Sequence, residues 1–233
     1  MRSVTAFSRS VCFLTPLLLG RPAAAQDSPQ FRTLDDVDRF TQTYYQQPRP
    51  ELISDLIQGL SSVGLAQRPH AAPPLISFLS EVFAANPSRM TEWRAVPIED
   101  QTARQLVGQA LNLSKYGGVM SKTGHSAELN DMYWGAFFAT GNTAYLQKLV
   151  DQLHYYDERD NEALFLVGAT AKWSLASNAR SHPVVRSTLT GNTLSTDQRT
   201  RDIVIQLLAQ DPAQVKQETD EIVARQRQAG TWQ

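Results

Sequence analysis

Residues 127–140 read AELNDMYWGAFFAT, a run whose apolar residues are too closely spaced to occupy only one side of a helix. At 3.6 residues per turn, Tyr133 and Phe138 lie on different sides of such a helix. Residues 163–178, which begin ALFLVGA, show the same pattern, and Gly168 within them would let a neighbour approach closely. Because a helix that is apolar all round is enclosed by other helices, we predict that these two helices form the centre of the fold.

The rest of the chain also has helical spacing. Thr33 with Asp36 three residues later resembles a capping box and predicts the start of the first helix. Asp211 before Pro212 predicts the start of the last helix, because proline suits the first helical position. No alternating run of five residues bounded by turn residues occurs, so no strand is predicted. The sequence therefore predicts an all-α fold.

A recurring junction between helices indicates the architecture. The stretch 83–90 (FAANPSRM) contains an apolar helix end, a capping residue with a proline, and a further apolar residue three places on. Residues 138–145 and 208–215 repeat this pattern, and residues 179–185 are a looser copy. The pattern is typical of a helical hairpin corner. Because the copies are unevenly spaced, two architectures remain open: stacked antiparallel helical hairpins in a degenerate α-solenoid, or an irregular helical bundle.

These corners resemble the helix junctions of tetratricopeptide and HEAT-type repeats, without the full signature of either family. In addition, segments 131–141 (DMYWGAFFATG) and 171–179 (AKWSLASNA) look like those of an uncharacterised group of exported bacterial helical proteins. The likeness covers about residues 75–187. It implies an exported, all-helical protein and supplies no catalytic residue.

The first 25 residues have the parts of a cleavable secretory signal peptide. Arg2 and Arg9 give a basic start, and residues 11–19 form an apolar stretch too short to span a membrane. Residues 23–25 (AAA) supply the small side chains of a cleavage site, whereas an uncleaved or buried N-terminal helix is the alternative. We therefore expect a periplasmic or secreted protein cleaved near Ala25. The predicted parts are a signal peptide at 1–25, a flexible lead-in at 26–33, one all-α domain at 34–229 and a C-terminal tail at 230–233.

Composition narrows the classes of function. The only cysteine, Cys12, lies in the predicted signal peptide, so a cleaved chain has no disulfide, thiol nucleophile or cysteine-based metal site. Cleavage removes three arginines and no acid, so 22 basic against 23 acidic residues become 19 against 23, and the net charge changes from −1 to −4. This mildly acidic composition gives no reason to expect nucleic acid as a partner. No later apolar run is long enough to predict a membrane span.

Patterns of catalytic or cofactor-binding residues are weak. The spacing of His125, Glu128 and Asp131 allows a divalent metal, but Asp131 lies well round the helix from His125. We interpret the two acids as first-turn residues that the helix dipole stabilises. Residues 122–124 (KTG) match one box of the serine β-lactamases, whose other boxes are missing. The sequence therefore predicts no catalytic residue, no metal site and no cofactor.

Aromatic residues concentrate in the second half of the chain, and we expect most of them to be core residues. Trp134, Tyr145 and Trp173 are amphipathic and suited to line a concave groove, with Lys172 and Asn178 as polar anchors. We predict that these five residues form a binding site. The leading hypothesis is an exported, non-catalytic binding or scaffold protein of the bacterial envelope, with an unidentified protein, peptide or small-molecule partner.

Two alternatives differ in class. An exported hydrolase or lyase requires a buried carboxyl group with a raised pKa, and the acids beside apolar helices are Glu81, Glu128 and Glu162. A purely structural or stress-related envelope protein requires no site at all. Full burial of the three groove aromatics would argue against the binding hypothesis, and a buried carboxylate facing a deep cleft would favour the enzyme.

Overall fold

The computed structural model describes residues 31–195 and 197–232. Within them the chain forms eleven α-helices, several short 3-10 helices and no strand, which confirms the predicted all-α fold. The predicted signal peptide, residues 26–30 of the lead-in and Gln233 lie outside the described residues. The helices are α1 (Leu34–Tyr44), α2 (Ile53–Gly59), α3 (Ala72–Ala85), α4 (Met90–Arg94), α5 (Gln101–Lys115), α6 (Ala127–Thr140), α7 (Ala144–Asp151), α8 (Glu162–Ser181), α9 (Pro183–Ser195), α10 (Gln198–Ala209) and α11 (Pro212–Gln228).

Helix α6 is enclosed on nearly every side, as its sequence predicts. From Leu129 to Ala139 every residue except Asp131 is buried. The helix packs against α1, α3, α7 and α8, and its approach to α3 is very close. A Cβ atom on Gly135 would lie 2.0 Å from the carbonyl oxygen of Pro74 and 2.3 Å from Oγ of Ser77. Only glycine therefore allows this spacing between α6 and α3.

Helix α8 is the corresponding centre of the second half. It packs against α9, α10, α11 and the 3-10 segment Leu153–Asp157. The predicted close approach at Gly168 is confirmed, because a Cβ there would lie 2.2 Å from the backbone nitrogen of Tyr156. The buried side chain of Asn130 on α6 donates to the carbonyl oxygen of Val167 at 2.9 Å and to Oγ1 of Thr170 at 3.0 Å. This amide joins the two central helices.

The predicted helix starts are present. The amide of Asp36 donates to Oγ1 of Thr33 at 3.2 Å, and the amide of Thr33 donates to the Asp36 carboxylate at 3.0 Å. Asp211 caps α11 through the amide of Ala213 at 2.9 Å, with Pro212 as the first helical residue. These bonds satisfy amide groups that have no partner within the helix itself.

The four predicted corners each join consecutive helices. They lie between α3 and α4, α6 and α7, α8 and α9, and α10 and α11. Two of these helix pairs, α6 with α7 and α8 with α9, also pack on each other. In contrast, α4 packs on α2 and α11 packs on α8. A regular stack of hairpins is therefore not confirmed.

The core extends beyond residues 34–229 in both directions. Phe31 is buried, and its ring meets that of Phe40 edge-on at 5.1 Å between centroids. Trp232 is also buried, and its indole N–H donates to the carbonyl oxygen of Arg159 at 2.7 Å. Across the described part of the chain, no helix is both long enough and apolar enough to cross a membrane.

Candidate functional site

Three of the five predicted binding residues line one cavity, which we call the aromatic pocket. Trp134, Trp173 and Asn178 lie around a volume of about 210 Å³ bounded by α1, α3, α6 and α8. Phe78 and Phe138 add two further aromatic rings to the lining. The pocket is therefore formed by both central helices together with the first helix of the domain.

The aromatic side chains of the pocket differ in exposure. Trp134 is buried, and its ring stacks on that of Phe138 with 5.6 Å between centroids and an interplanar angle of 27°. Its indole nitrogen has no hydrogen-bond partner among the described groups. Trp173 is 44% exposed, so it has the accessibility that the predicted groove requires of its aromatic residues, whereas Trp134 does not. The pocket thus has one packed wall and one accessible tryptophan.

Two carboxylates also line the aromatic pocket, Asp38 from α1 and Asp131 from α6. Burial raises the pKa of Asp131 from 3.8 to about 6; the charge of Glu128 adds to the rise, and His70 opposes it. Although Asp38 is exposed as a residue, partial burial of its carboxyl group raises its pKa, and Asp35 adds to the rise. Both acids therefore lie where the ionised form is less stable than in water.

Asp131 also lines a larger cleft of about 520 Å³. It is lined by α3, α5, the start of α6 and the 3-10 helix Pro69–Ala71, and it includes His70 and Glu128. The interpretation of Asp131 as a first-turn acid stabilised by the helix dipole is wrong. Asp131 is the fifth residue of α6, and loss of water contact outweighs any favourable charge there.

Tyr145 lies apart from the aromatic pocket in a buried contact with Glu81. Burial and its hydrogen bond to Glu81 raise the pKa of the Tyr145 hydroxyl. Burial likewise raises the pKa of Glu81, which also accepts the backbone N–H of Val119 at 3.4 Å. The same carboxylate fills the space beside Gly118, where a Cβ atom would lie 2.2 Å from Oε1 and where φ is +66°. Glu81 thus ties the loop before α6 to α3.

Lys172 also lies apart from the pocket. Its side chain is 0% exposed, with Nζ 3.2 Å from Oε2 of Glu218 and 4.0 Å from the ring centroid of Tyr156. Burial lowers the pKa of Lys172, and the charge of Glu218 opposes that change. We call these three residues the lysine cluster. The reason for the separation is geometric: successive helical residues are about 100° apart, so Lys172 and Trp173 face different neighbours.

The remaining sequence candidates have ordinary structural surroundings. Glu128 is exposed, and Glu162 pairs with Arg227 at 2.6 Å between Oε1 and Nη2. Nδ1 of His125 lies 2.9 Å from the side-chain oxygen of Gln152. Among the described residues, no group of three or more His, Cys, Asp or Glu side chains is arranged to hold a metal ion.

Sequence reasoning missed Asp38 and the environment of Asp131. In both cases the sequence contains a spacing that could have identified the residue. Asp131 is three residues before Trp134, so the two share a face of α6, and Asp38 shares a face of α1 with Thr41 and Gln42. The spacing does not predict that these two helix faces meet across a cavity.

Comparison of the chain with protein-family models, curated proteins and solved structures finds no match. The resemblance of its corners to tetratricopeptide and HEAT-type junctions therefore stays a prediction.

Proposed function

We propose that this protein is an exported, non-catalytic binding protein of the bacterial envelope, and that the aromatic pocket is its binding site. The observation that carries the proposal is the accessible Trp173 beside the buried Trp134. A large aromatic side chain exposed next to a cavity favours association, because covering it releases water and tryptophan is enriched at binding hot spots. The apolar stretch at residues 11–19 and the small residues at 23–25 support export.

The four tryptophans of the chain provide the test, since each gives one indole N–H resonance in a ¹⁵N-labelled protein. We expect fragments and short peptides that bind to shift the signals of Trp134 and Trp173 and to leave Trp93 and Trp232 unchanged. Trp173→Ala removes one signal and should weaken binding about tenfold or more, as loss of a hot-spot side chain does.

Leu166→Ala is the matched control. Leu166 is 38% exposed on the same helix, two turns before Trp173, and is not among the residues that line the aromatic pocket. Its loss should leave affinity unchanged. Binding that shifts only Trp93 or Trp232, or that survives Trp173→Ala, would contradict the proposal.

A second candidate function has one observation in its favour. Asp131 carries a pKa of about 6 and lines the cleft of about 520 Å³, which suits a general acid in a hydrolase or lyase of the cell-wall polymer. The purified protein would then release soluble fragments from isolated cell wall near pH 5. Asp131→Asn would abolish release, whereas Glu162→Gln, outside the cleft, would not. No release by the unaltered protein rules this candidate out.

A further inference from the structure

The charged side chains that line the aromatic pocket are all acidic. Asp38 and Asp131 contribute carboxylates, and neither lysine nor arginine is among the lining residues. Within the described part of the chain, neither carboxylate accepts a side-chain or backbone hydrogen bond or forms a salt bridge; the opposite charges that act on them, Arg68 on Asp38 and His70 on Asp131, are more distant. The pocket therefore presents negative charge that its own protein groups leave unpaired.

The aromatic rings of the pocket favour the same sign of ligand. The face of an aromatic ring carries negative potential and attracts a cation, and tryptophan does so most strongly. Trp134 and Trp173 both line the pocket, and Phe138 stacks on the first of them. Rings and carboxylates together thus attract positive charge, whereas an anion would meet repulsion from both.

Size limits the ligand further. The cavity measures about 210 Å³, whereas sites for whole drug-sized ligands range from about 300 to 1,000 Å³. Such a volume takes a head group rather than a large ligand. A neutral head group of the same size would fill the space but would leave both carboxylates unpaired.

We propose that the aromatic pocket binds an alkylammonium head group. The proposal rests on the proposed function, because it names the ligand class of that same site. Trp134 and Trp173 contact the cation, and Asp38 and Asp131 balance its charge.

Calorimetric titration of the purified protein with choline tests the proposal. Its neutral analogue, 3,3-dimethyl-1-butanol, has the same shape with carbon in place of the charged nitrogen. We expect choline to bind and the analogue to bind at least about tenfold more weakly. Trp173→Leu should weaken choline binding about tenfold, and Asp38→Asn about threefold, whereas Leu166→Ala should have no effect.

The outcomes separate the two proposals. Equal binding of choline and its neutral analogue, both lost in Trp173→Leu, would overturn the cation proposal and leave the pocket as a binding site. Choline binding that is insensitive to Trp173→Leu would overturn both. A pentapeptide with one central lysine identifies the source of the ammonium group: stronger binding than choline indicates a peptide-borne lysine, and weaker binding indicates a free small cation. If neither the peptide nor choline binds, the cation proposal fails.

Discussion

The lysine cluster balances its buried charge within the protein and the aromatic pocket does not, although Lys172 and Trp173 are neighbours on α8. In the cluster, a fully buried ammonium lies 3.2 Å from a carboxylate and over an aromatic ring, so its charge is balanced within the protein. In the pocket, two carboxylates lie beside aromatic rings with no such partner among the described residues. A balanced buried charge serves stability, whereas an unbalanced one beside a cavity is available to a ligand.

Both regions depend on a glycine, and removing it should have the largest effect. Gly135 lines the pocket against α3, and Gly168 places α8 against the backbone of Tyr156 in the cluster. Gly135→Ala and Gly168→Ala should each lower the free energy of unfolding by about 3 kcal/mol or more, because the added methyl group meets rigid backbone. Urea unfolding followed by circular dichroism measures the loss.

Gly108→Ala is the control for both variants. A Cβ atom at Gly108 in α5 meets nothing within 4 Å, so alanine there should raise stability by up to about 1 kcal/mol through its better helix propensity. Loss of stability at Gly108 equal to that at Gly135 would show that close helix approach is not the cause.

The next largest effect should come from breaking the lysine cluster. Glu218→Ala leaves the buried Lys172 ammonium without its partner and should cost about 2 kcal/mol, less than for a fully buried pair because the Glu218 side chain is 38% exposed. Lys172→Met removes the buried charge itself and should stay within about 1 kcal/mol of the unaltered protein. Equal losses in the two variants would mean that the cluster contributes packing and not charge balance.

The smallest effect should come from Asp131→Asn, and it should depend on pH. Because the pKa of Asp131 is about 6 in the folded protein and 3.8 in the reference state, the folded state holds the proton more tightly. The unaltered protein should therefore lose stability as pH rises from about 4 to 6, and then lose no more from this group. Asp131→Asn should be more stable by about 1 kcal/mol at pH 7, allowing for solvent screening, and equal at pH 3.5. A gain independent of pH would contradict this assignment.

The sequence pattern was enough to predict the fold class and its centre. The all-round apolar character of residues 127–140 predicted that α6 is enclosed, and the capping pattern at Thr33 predicted where α1 begins. The packing order was not predictable. The corner at Asp211 shows that α11 begins there, but its packing on α8 depends on contacts between residues far apart in the chain.

The candidate site was predictable only in part. Residue type identified Trp134, Trp173 and Asn178, which share one cavity, but it also suggested Lys172 and Tyr145, which do not line it. The sequence does not show whether a tryptophan side chain is buried or exposed, so only packing in the folded structure distinguishes the pocket residues from the core residues. Likewise, whether a carboxylate is in contact with water depends on which residues pack over it.

Gly118 has a consequence for how this protein changes during evolution. Two separate constraints act on the position: a backbone φ of +66° and a carboxylate oxygen of Glu81 in the space that a side chain would need. A shorter residue at position 81 would relieve the second constraint and leave the first. In related sequences we therefore expect position 118 to stay glycine while position 81 varies, so the glycine is the better marker for recognising distant members.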